Sequence, residues 1–153
     1  MGGDEVNDAA DRPRTPPLLL DTHTLVWSIN EGKKLGKKAK ESIRVAGDEG
    51  RILISAITPW EVALLVSKGR LTLDAEVMNW VRDALTIPGL TLVPLEPEIA
   101  VASTRFTFDM HSDPADRILV ATARRLSATL VTADHALLAL SRMGNFRAMD
   151  ASR

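Results

Sequence analysis

The sequence predicts an α/β protein with a central, mainly parallel sheet of four to five strands, covered on both faces by helices in a three-layer sandwich. Two observations predict it. Short apolar runs alternate with longer segments of helical period along nearly the whole chain, the pattern of repeated β-α units. The runs are continuously apolar rather than alternating in and out, as strands are when both faces are buried. At 153 residues the chain suits one domain, and its 45% apolar content can fill a core. Aromatics are only 4%, so aliphatic side chains must do the filling.

The first 16 residues are polar and end in Arg12-Pro13-Arg14-Thr15-Pro16-Pro17. They read as a disordered leader before a domain spanning 17–150, with 151–153 as a tail. Leu18-Leu19-Leu20 is the first strand, and Leu25, Val26 and Ile29 give helical spacing from Thr22 to Asn30. A lysine-rich segment from Lys33 opens a helix to Val45, ended by Gly47 and Gly50. Arg51 to Ser55 is the second strand. Thr58-Pro59 starts a helix that Gly69 closes. Asp74 is placed to cap the next helix, with Val77, Trp80, Val81, Ala84 and Leu85 on one face, and Pro88-Gly89 breaks it. Leu90 to Val93 is the third strand, followed by a helix from Pro97 to Phe106. Pro114 to Leu126 is helical, Thr129 to Thr132 is the fourth strand, and Ala136 to Ser141 is a short helix. Phe146 to Met149 reads as a last edge strand.

Composition narrows the function. There is no cysteine, which removes disulfides and thiolate metal sites and fits the reducing cytoplasm. The net charge is −1, so any grip on nucleic acid must come from local patches. No apolar run approaches the ~20 residues of a membrane span, and the start does not read as a secretory signal.

Four carboxylates stand out by position. Asp21 follows the first strand and Asp134 closely follows the fourth. Glu61 lies in the first turn of the helix after the second strand, and Asp116 in the first turn of the helix before the fourth. Ligands of open parallel sheets bind beyond the carboxyl ends of the strands, where three of these acids fall. Taken singly, Glu61 and Asp116 read as helix caps and dipole partners, since Thr58-Pro59-Trp60-Glu61 and Asp113-Pro114-Ala115-Asp116 both have the form of a capped helix start. Asp134 alone reads as a cap of its following helix. Asp21 is harder to explain that way, because a carboxylate ending an apolar strand is costly to bury without a partner. Four acids together repel one another, and a divalent cation removes the problem. Oxygen-only ligands favour Mg²⁺ or Mn²⁺, and such a site suits phosphodiester hydrolysis.

Four segments carry a resemblance in order and spacing: Leu18-Leu19-Leu20-Asp21-Thr22-His23, Ser55-Ala56-Ile57-Thr58-Pro59-Trp60-Glu61, His111-Ser112-Asp113-Pro114-Ala115-Asp116-Arg117 and Leu130-Val131-Thr132-Ala133-Asp134. They resemble the PIN-domain VapC toxins of bacterial VapBC toxin–antitoxin modules over residues 17–150. The resemblance implies a PIN-like fold and Mg²⁺, with Mn²⁺ as substitute, held by Asp21, Glu61, Asp116 and Asp134. It implies endonucleolytic cleavage of RNA, often tRNA, a cognate VapB-type antitoxin and a homodimer. Thr132 matches the hydroxyl position two residues before the last acid, and its other reading is a plain β-branched strand residue. Asp113 matches a frequent family position and reads mainly as a helix N-cap. Ala115 departs from the family, where an aromatic residue is common.

Other residues are weighed beside these. His23, His111 and His135 each lie near an acid, but no ligand-like histidine pair exists, so polar lining or helix-end contacts are the simpler reading. His23 is placed to touch substrate. Arg117 is the best single candidate for a phosphate or partner contact, whereas Lys33, Lys34, Lys37, Lys38 and Lys40 read as a solvated face. Leu64, Leu65, Val77, Trp80 and Val81 are candidates for a partner groove. Two alternatives stand beside the nuclease: a non-catalytic PIN-fold RNA- or protein-binding scaffold, and a phosphotransfer enzyme using Asp21. The second lacks the acid expected two residues on, where His23 stands.

Overall fold

The computed structural model describes residues 15–30 and 33–153. Most of the expected leader, residues 1–14, lies outside the described residues. The last of it does not trail away: the Pro16 carbonyl accepts from Arg51 Nη1 at 3.0 Å and the Pro17 carbonyl from Thr129 N–H at 2.9 Å.

Five strands form one sheet in the order β3-β2-β1-β4-β5, every neighbouring pair parallel. They are β1 (Leu18–Leu20), β2 (Ile52–Ser55), β3 (Leu90–Val93), β4 (Thr129–Thr132) and β5 (Arg147–Asp150). The helices are α1 (Thr22–Ile29), α2 (Lys37–Asp48), α3 (Ile57–Ser67), α4 (Val77–Ala84), α5 (Pro97–Ala102), α6 (Pro114–Leu126) and α7 (His135–Arg142). The edge strand thus begins one residue later than expected.

β1 shows why its residues are apolar without interruption. Leu18 and Leu20 enter one core layer with Leu25, Val26, Ile54, Val62 and Trp80, while Leu19 enters the other with Leu119, Val120, Leu130 and Leu137. Successive strand side chains point to opposite faces, and here both faces are covered. Leu19 is fully buried, so truncating it to alanine would cost about 2–5 kcal/mol.

Several local expectations are corrected. α2 starts at Lys37, not Lys33. Gly36 is its extended N-cap and packs so tightly that an added Cβ would lie 2.2 Å from the Arg153 backbone. Ala151 is buried, and the Arg153 carbonyl accepts from Ala39 N–H at 2.8 Å. Residues 151–153, the expected tail, pack on the domain. Glu76, not Asp74, caps α4, its two oxygens accepting from Met78 and Asn79 N–H at 3.0 and 3.1 Å. α5 stops at Ala102 because Ser103 and Thr104 turn their hydroxyls back onto the Ala100 and Val101 carbonyls, both at 2.7 Å. Trp80 and Val81 are buried, although Trp80 also lines a cleft of about 420 Å³ with Ile29, Asp74 and Asp83, whereas Trp60 on α3 is half-exposed.

Candidate active site

The strand order reverses between β1 and β4, the neighbours at the centre of the sheet. A crevice opens at such a switch point, at the carboxyl ends of the strands. A cleft of about 420 Å³ lies there, lined by Asp21, Glu61, Asp113, Asp116 and Asp134 together with Thr22, His23 and Trp27. All four acids of the expected quartet meet in it, and Asp113 joins them.

Asp21 ends β1 and also N-caps α1. Its Oδ1 accepts from Thr24 N–H at 2.8 Å and its Oδ2 from the Thr132 hydroxyl at 2.5 Å. These two bonds answer the desolvation cost that its position implied, the residue being 9% exposed. The Thr132 hydroxyl also accepts from Asp134 N–H at 3.1 Å. Thr132 is thus more than a β-branched strand residue. Asp134 in turn N-caps α7 through Leu137 N–H at 3.0 Å.

Glu61 arrives by a different local route from the one expected. α3 begins at Ile57, and Ser55 Oγ accepts from Ile57 N–H at 3.1 Å. Thr58 is therefore inside the helix and buried, without a hydrogen-bond partner for its hydroxyl among the described residues. The capping box at Thr58–Glu61 does not form, and Glu61 lies in the second turn rather than the first. It reaches the cleft as a part-buried side chain on the face toward β1. Burial pushes its pKa up, and the charges of Asp113 and Asp21 add to the rise. The buried Thr22 hydroxyl faces Glu61 and opposes that shift, though no formed hydrogen bond joins them.

At α6 the expected cap forms: Asp113 Oδ1 accepts from Asp116 N–H at 3.0 Å, with Pro114 at the first helical position. Asp116 is thereby aimed into the cleft. Its pKa is pushed up to about 7, first by burial and then by the charges of Asp113, Asp134, Glu61 and Asp21. His111 makes the helix-end contact that the simple reading of the histidines expects, at the start of α6. Its Nε2 stands 3.4 Å from Asp116 Oδ2, while Nδ1 accepts from Asp113 N–H at 3.4 Å. His23 is exposed at the rim, its ring 6.2 Å from that of Trp27.

Arg117 does not line the cleft. Its Nε donates to the Ser103 carbonyl at 2.8 Å, and its Nη1 to those of Met110 and His111 at 3.0 and 3.1 Å. The guanidinium also covers the Phe106 ring at 5.3 Å. The structure places it as a clamp on the loop leading into α6. Lys34 stands over the Trp27 ring at 5.9 Å, and the other lysines of its run are exposed.

The donor set suits a hard divalent cation: oxygens only, from several elements, with mutual repulsion recorded in the raised pKa of Asp116. Among the described residues, no three acid or histidine side chains are already drawn into a closed coordination shell. The reason is visible in the bonds. Asp21 and Asp134 each spend an oxygen on a helix cap.

Comparison with known proteins agrees with this architecture. The chain is similar to ribonuclease VapC22 of Mycobacterium tuberculosis (strain ATCC 25618 / H37Rv), with 29% identity over 120 residues, 78% of this chain and 88% of that protein. Among solved structures it resembles a chain of VapBC2 from Rickettsia felis bound to a DNA fragment from their promoter (17% identity, TM-score 0.62, covering 86% of this chain and 96% of that one). DNA-bound VapBC from Salmonella typhimurium gives 19% identity and a TM-score of 0.62, covering 89% and 98% of the two chains. FitAcB from Neisseria gonorrhoeae gives 20% identity and a TM-score of 0.59, covering 88% and 97%. Residues 18–143 match the sequence model of the PIN domain. This match spans most of the chain and includes every acid of the cleft, so the protein belongs to the PIN-domain family.

Proposed function

We propose that this protein is a Mg²⁺- or Mn²⁺-dependent endoribonuclease and the toxin of a VapBC-type toxin–antitoxin module. One observation carries the reading: Asp21, Glu61, Asp116 and Asp134, from four separate places in the chain, line one cleft at the switch point of the sheet. The likeness to a ribonuclease named VapC22 and to chains from VapBC complexes supports it.

In this reading Asp21, Glu61, Asp116 and Asp134 hold the cation, which when bound polarises the phosphodiester and lowers the pKa of water. The chain's own residues do the rest. Thr24 N–H and the Thr132 hydroxyl fix Asp21, so that it meets the ion without reorganising. Asp113 orders the first turn of α6 and so aims Asp116. His111 Nε2 offers the Asp116 carboxylate a partner at the rim, and His23 stands where the substrate backbone enters.

A cognate VapB-type antitoxin and a second copy of the chain are the partners this reading requires, with RNA, including tRNA, as substrate and the cytoplasm as compartment. No helix among the described residues is long and apolar enough to cross a membrane. α3 offers a surface for a partner. Trp60 is 50% exposed there, and Met78 on the adjoining α4 is 45% exposed. Large exposed apolar residues of this kind suit a helix-in-groove contact.

RNA cleavage by the purified protein tests the nuclease reading, with Mg²⁺ or Mn²⁺ and then with EDTA, beside Asp21→Asn and Asp116→Asn. Cleavage that needs metal and disappears in both variants is expected. Full cleavage by either variant would remove that residue from the site, and no cleavage of any RNA class would favour a non-catalytic scaffold.

A further inference from the structure

A second cleft, of about 870 Å³, lies at the opposite edge of the sheet, where β4 and β5 begin. It is larger than the acidic cleft and chemically its reverse. Arg124, Arg142 and Arg147 line it, from α6, α7 and β5, with Ser127, Thr129 and Asn145 between them and no carboxylate. Arg124 also lines a neighbouring cleft of about 330 Å³ with Arg105 and Arg125, where Glu98 is the one acid. All five arginines are exposed, and among the described residues none pairs with a carboxylate within 4.0 Å. Elsewhere among the described residues Arg44 and Arg51 are paired, and Arg70 and Arg82 are not.

Helix-dipole compensation accounts for part of this. Arg124 and Arg125 sit in the last turn of α6, and Arg142 in the last turn of α7. A helix C-terminus carries only about half a negative charge, however, so three full positive charges outweigh the two helix ends that reach the larger cleft. Arg147 is on a strand and Arg105 in a loop, where no dipole calls for them. Arg124 is held in place, Nη1 donating to the Asn145 carbonyl at 2.8 Å and the guanidinium covering Phe108 at 5.2 Å. A fixed guanidinium beside two further arginines, with hydroxyl and amide neighbours, suits phosphate and sugar contacts.

α6 joins the two regions. Its first turn holds Asp116 in the acidic cleft and its last turn holds Arg124 and Arg125. The eight-residue step from Asp116 to Arg124 separates them by about 12 Å along the helix axis. We propose that RNA flanking the scissile phosphate extends from the acidic cleft to the arginine cleft at the far end of α6, where Arg124, Arg142 and Arg147 grip its phosphates. The proposal rests on the nuclease reading for the direction of the path. It explains how a chain of net charge −1, with an acidic cleft, holds a polyanion. It also defines the substrate class: an RNA that extends at least ~12 Å to one side of the cut.

The experiment measures RNA binding in EDTA, which keeps the RNA intact, by fluorescence anisotropy over a range of salt. The probes are a labelled hairpin whose arm reaches well beyond ~12 Å and a short oligonucleotide that does not. The double variant Arg142→Gln/Arg147→Gln is expected to bind the hairpin about 3- to 10-fold more weakly at about 0.1 M salt, and to lower the slope of log K against log salt by about 1.5. Arg142→Lys/Arg147→Lys, which keeps both charges, should retain the slope and guards against a folding artefact. With metal restored, cleavage of the short oligonucleotide should be equal in wild type and variants.

An unchanged slope, or equal loss for long and short RNA, overturns the proposal. So does displacement of the hairpin by polyglutamate as readily as by a polyphosphate of equal charge, which would assign the cleft to an acidic protein segment. The nuclease reading fails separately. Arginine-dependent binding in a protein that never cleaves RNA supports the cleft as an RNA site and removes the nuclease, whereas metal-dependent cleavage without arginine-dependent binding does the opposite.

Discussion

The Thr132 hydroxyl donates to Asp21 Oδ2 at 2.5 Å and accepts from Asp134 N–H at 3.1 Å, so one side chain ties together two acids that lie just beyond the ends of neighbouring strands. Thr132→Val keeps the shape and deletes both bonds. It leaves a buried carboxylate oxygen short of a donor, which should cost about 1–3 kcal/mol in chemical denaturation. Metal affinity should fall about 10- to 100-fold, as when other outer partners of metal ligands are removed. Thr132→Ser should restore most of the affinity. Metal titration that finds Val and wild type equal would show that the bridge positions nothing.

Asp116 predicts a trade between stability and activity. Its folded-state pKa is raised from 3.8 to about 7, so at neutral pH and above the metal-free fold carries an unfavourable charge. Asp116→Asn removes that charge and should stabilise the metal-free protein by on the order of 1–2 kcal/mol after discounting for solvent screening, while abolishing cleavage. Thermal melts in EDTA beside cleavage assays check both halves. A less stable Asn variant would mean that the carboxylate contributes to packing more than it repels.

The same shift sets a pH dependence. A raised folded-state pKa contributes stability that is fully present below the unfolded value of 3.8 and lost as pH rises through about 7. Glu61 is shifted in the same direction. The melting temperature of the metal-free protein should therefore fall between mildly acidic and mildly alkaline pH, and Asp116→Asn should flatten that fall. Mn²⁺ binding needs the ionised carboxylates, so below about pH 7 it should release protons and weaken. Calorimetry in two buffers of different ionisation heat reads the proton release, and none detected would contradict the assignment of Asp116 as a ligand.

Arg117 grips three backbone carbonyls with one planar fork. A lysine ammonium is a point charge and does not reproduce that geometry. Arg117→Lys should accelerate amide exchange over residues 106–112 and reduce cleavage by loosening His111 and Asp113, with metal binding at Asp21 little changed. Unaltered exchange in this loop would refute the clamp.

Gly89 holds φ +81°, and a Cβ there would lie 2.0 Å from the Gly47 carbonyl oxygen. Gly89→Ala should destabilise by more than ~1 kcal/mol, since the left-handed conformation and the contact both oppose a side chain. Denaturant melts test this. Because the Gly89 carbonyl accepts from Ile52 N–H at 3.1 Å, exchange at the start of β2 should report the same strain.

Much of the site was legible in the residue order because its signals are local. A strand that ends in Asp21, a proline-started helix after Asp113 and an acid two residues beyond β4 each announce themselves within a few residues. Where a rule was only statistical, it failed against a competing contact. Thr58 had the form of a cap, but Ser55 took the job one turn earlier. Asp74 had the form of a cap, but Glu76 reached two N–H groups at once. Lys33 had the form of a helix start, but the chain turns until Gly36, where only a residue without a side chain fits against Arg153.

By itself, then, the sequence determined the alternation of strands and helices, the two-faced burial of β1 and the chain positions of the acids, because each depends on side chains within one or two turns of backbone. Only the tertiary structure decided that β1 lies beside β4, that Thr132 therefore meets Asp21 across 111 residues of chain, that Arg117 faces inward, and that five unpaired arginines share the surface reached by the far end of α6. Contacts at such separation follow from how buried faces pack and strands pair, and no local spacing records them.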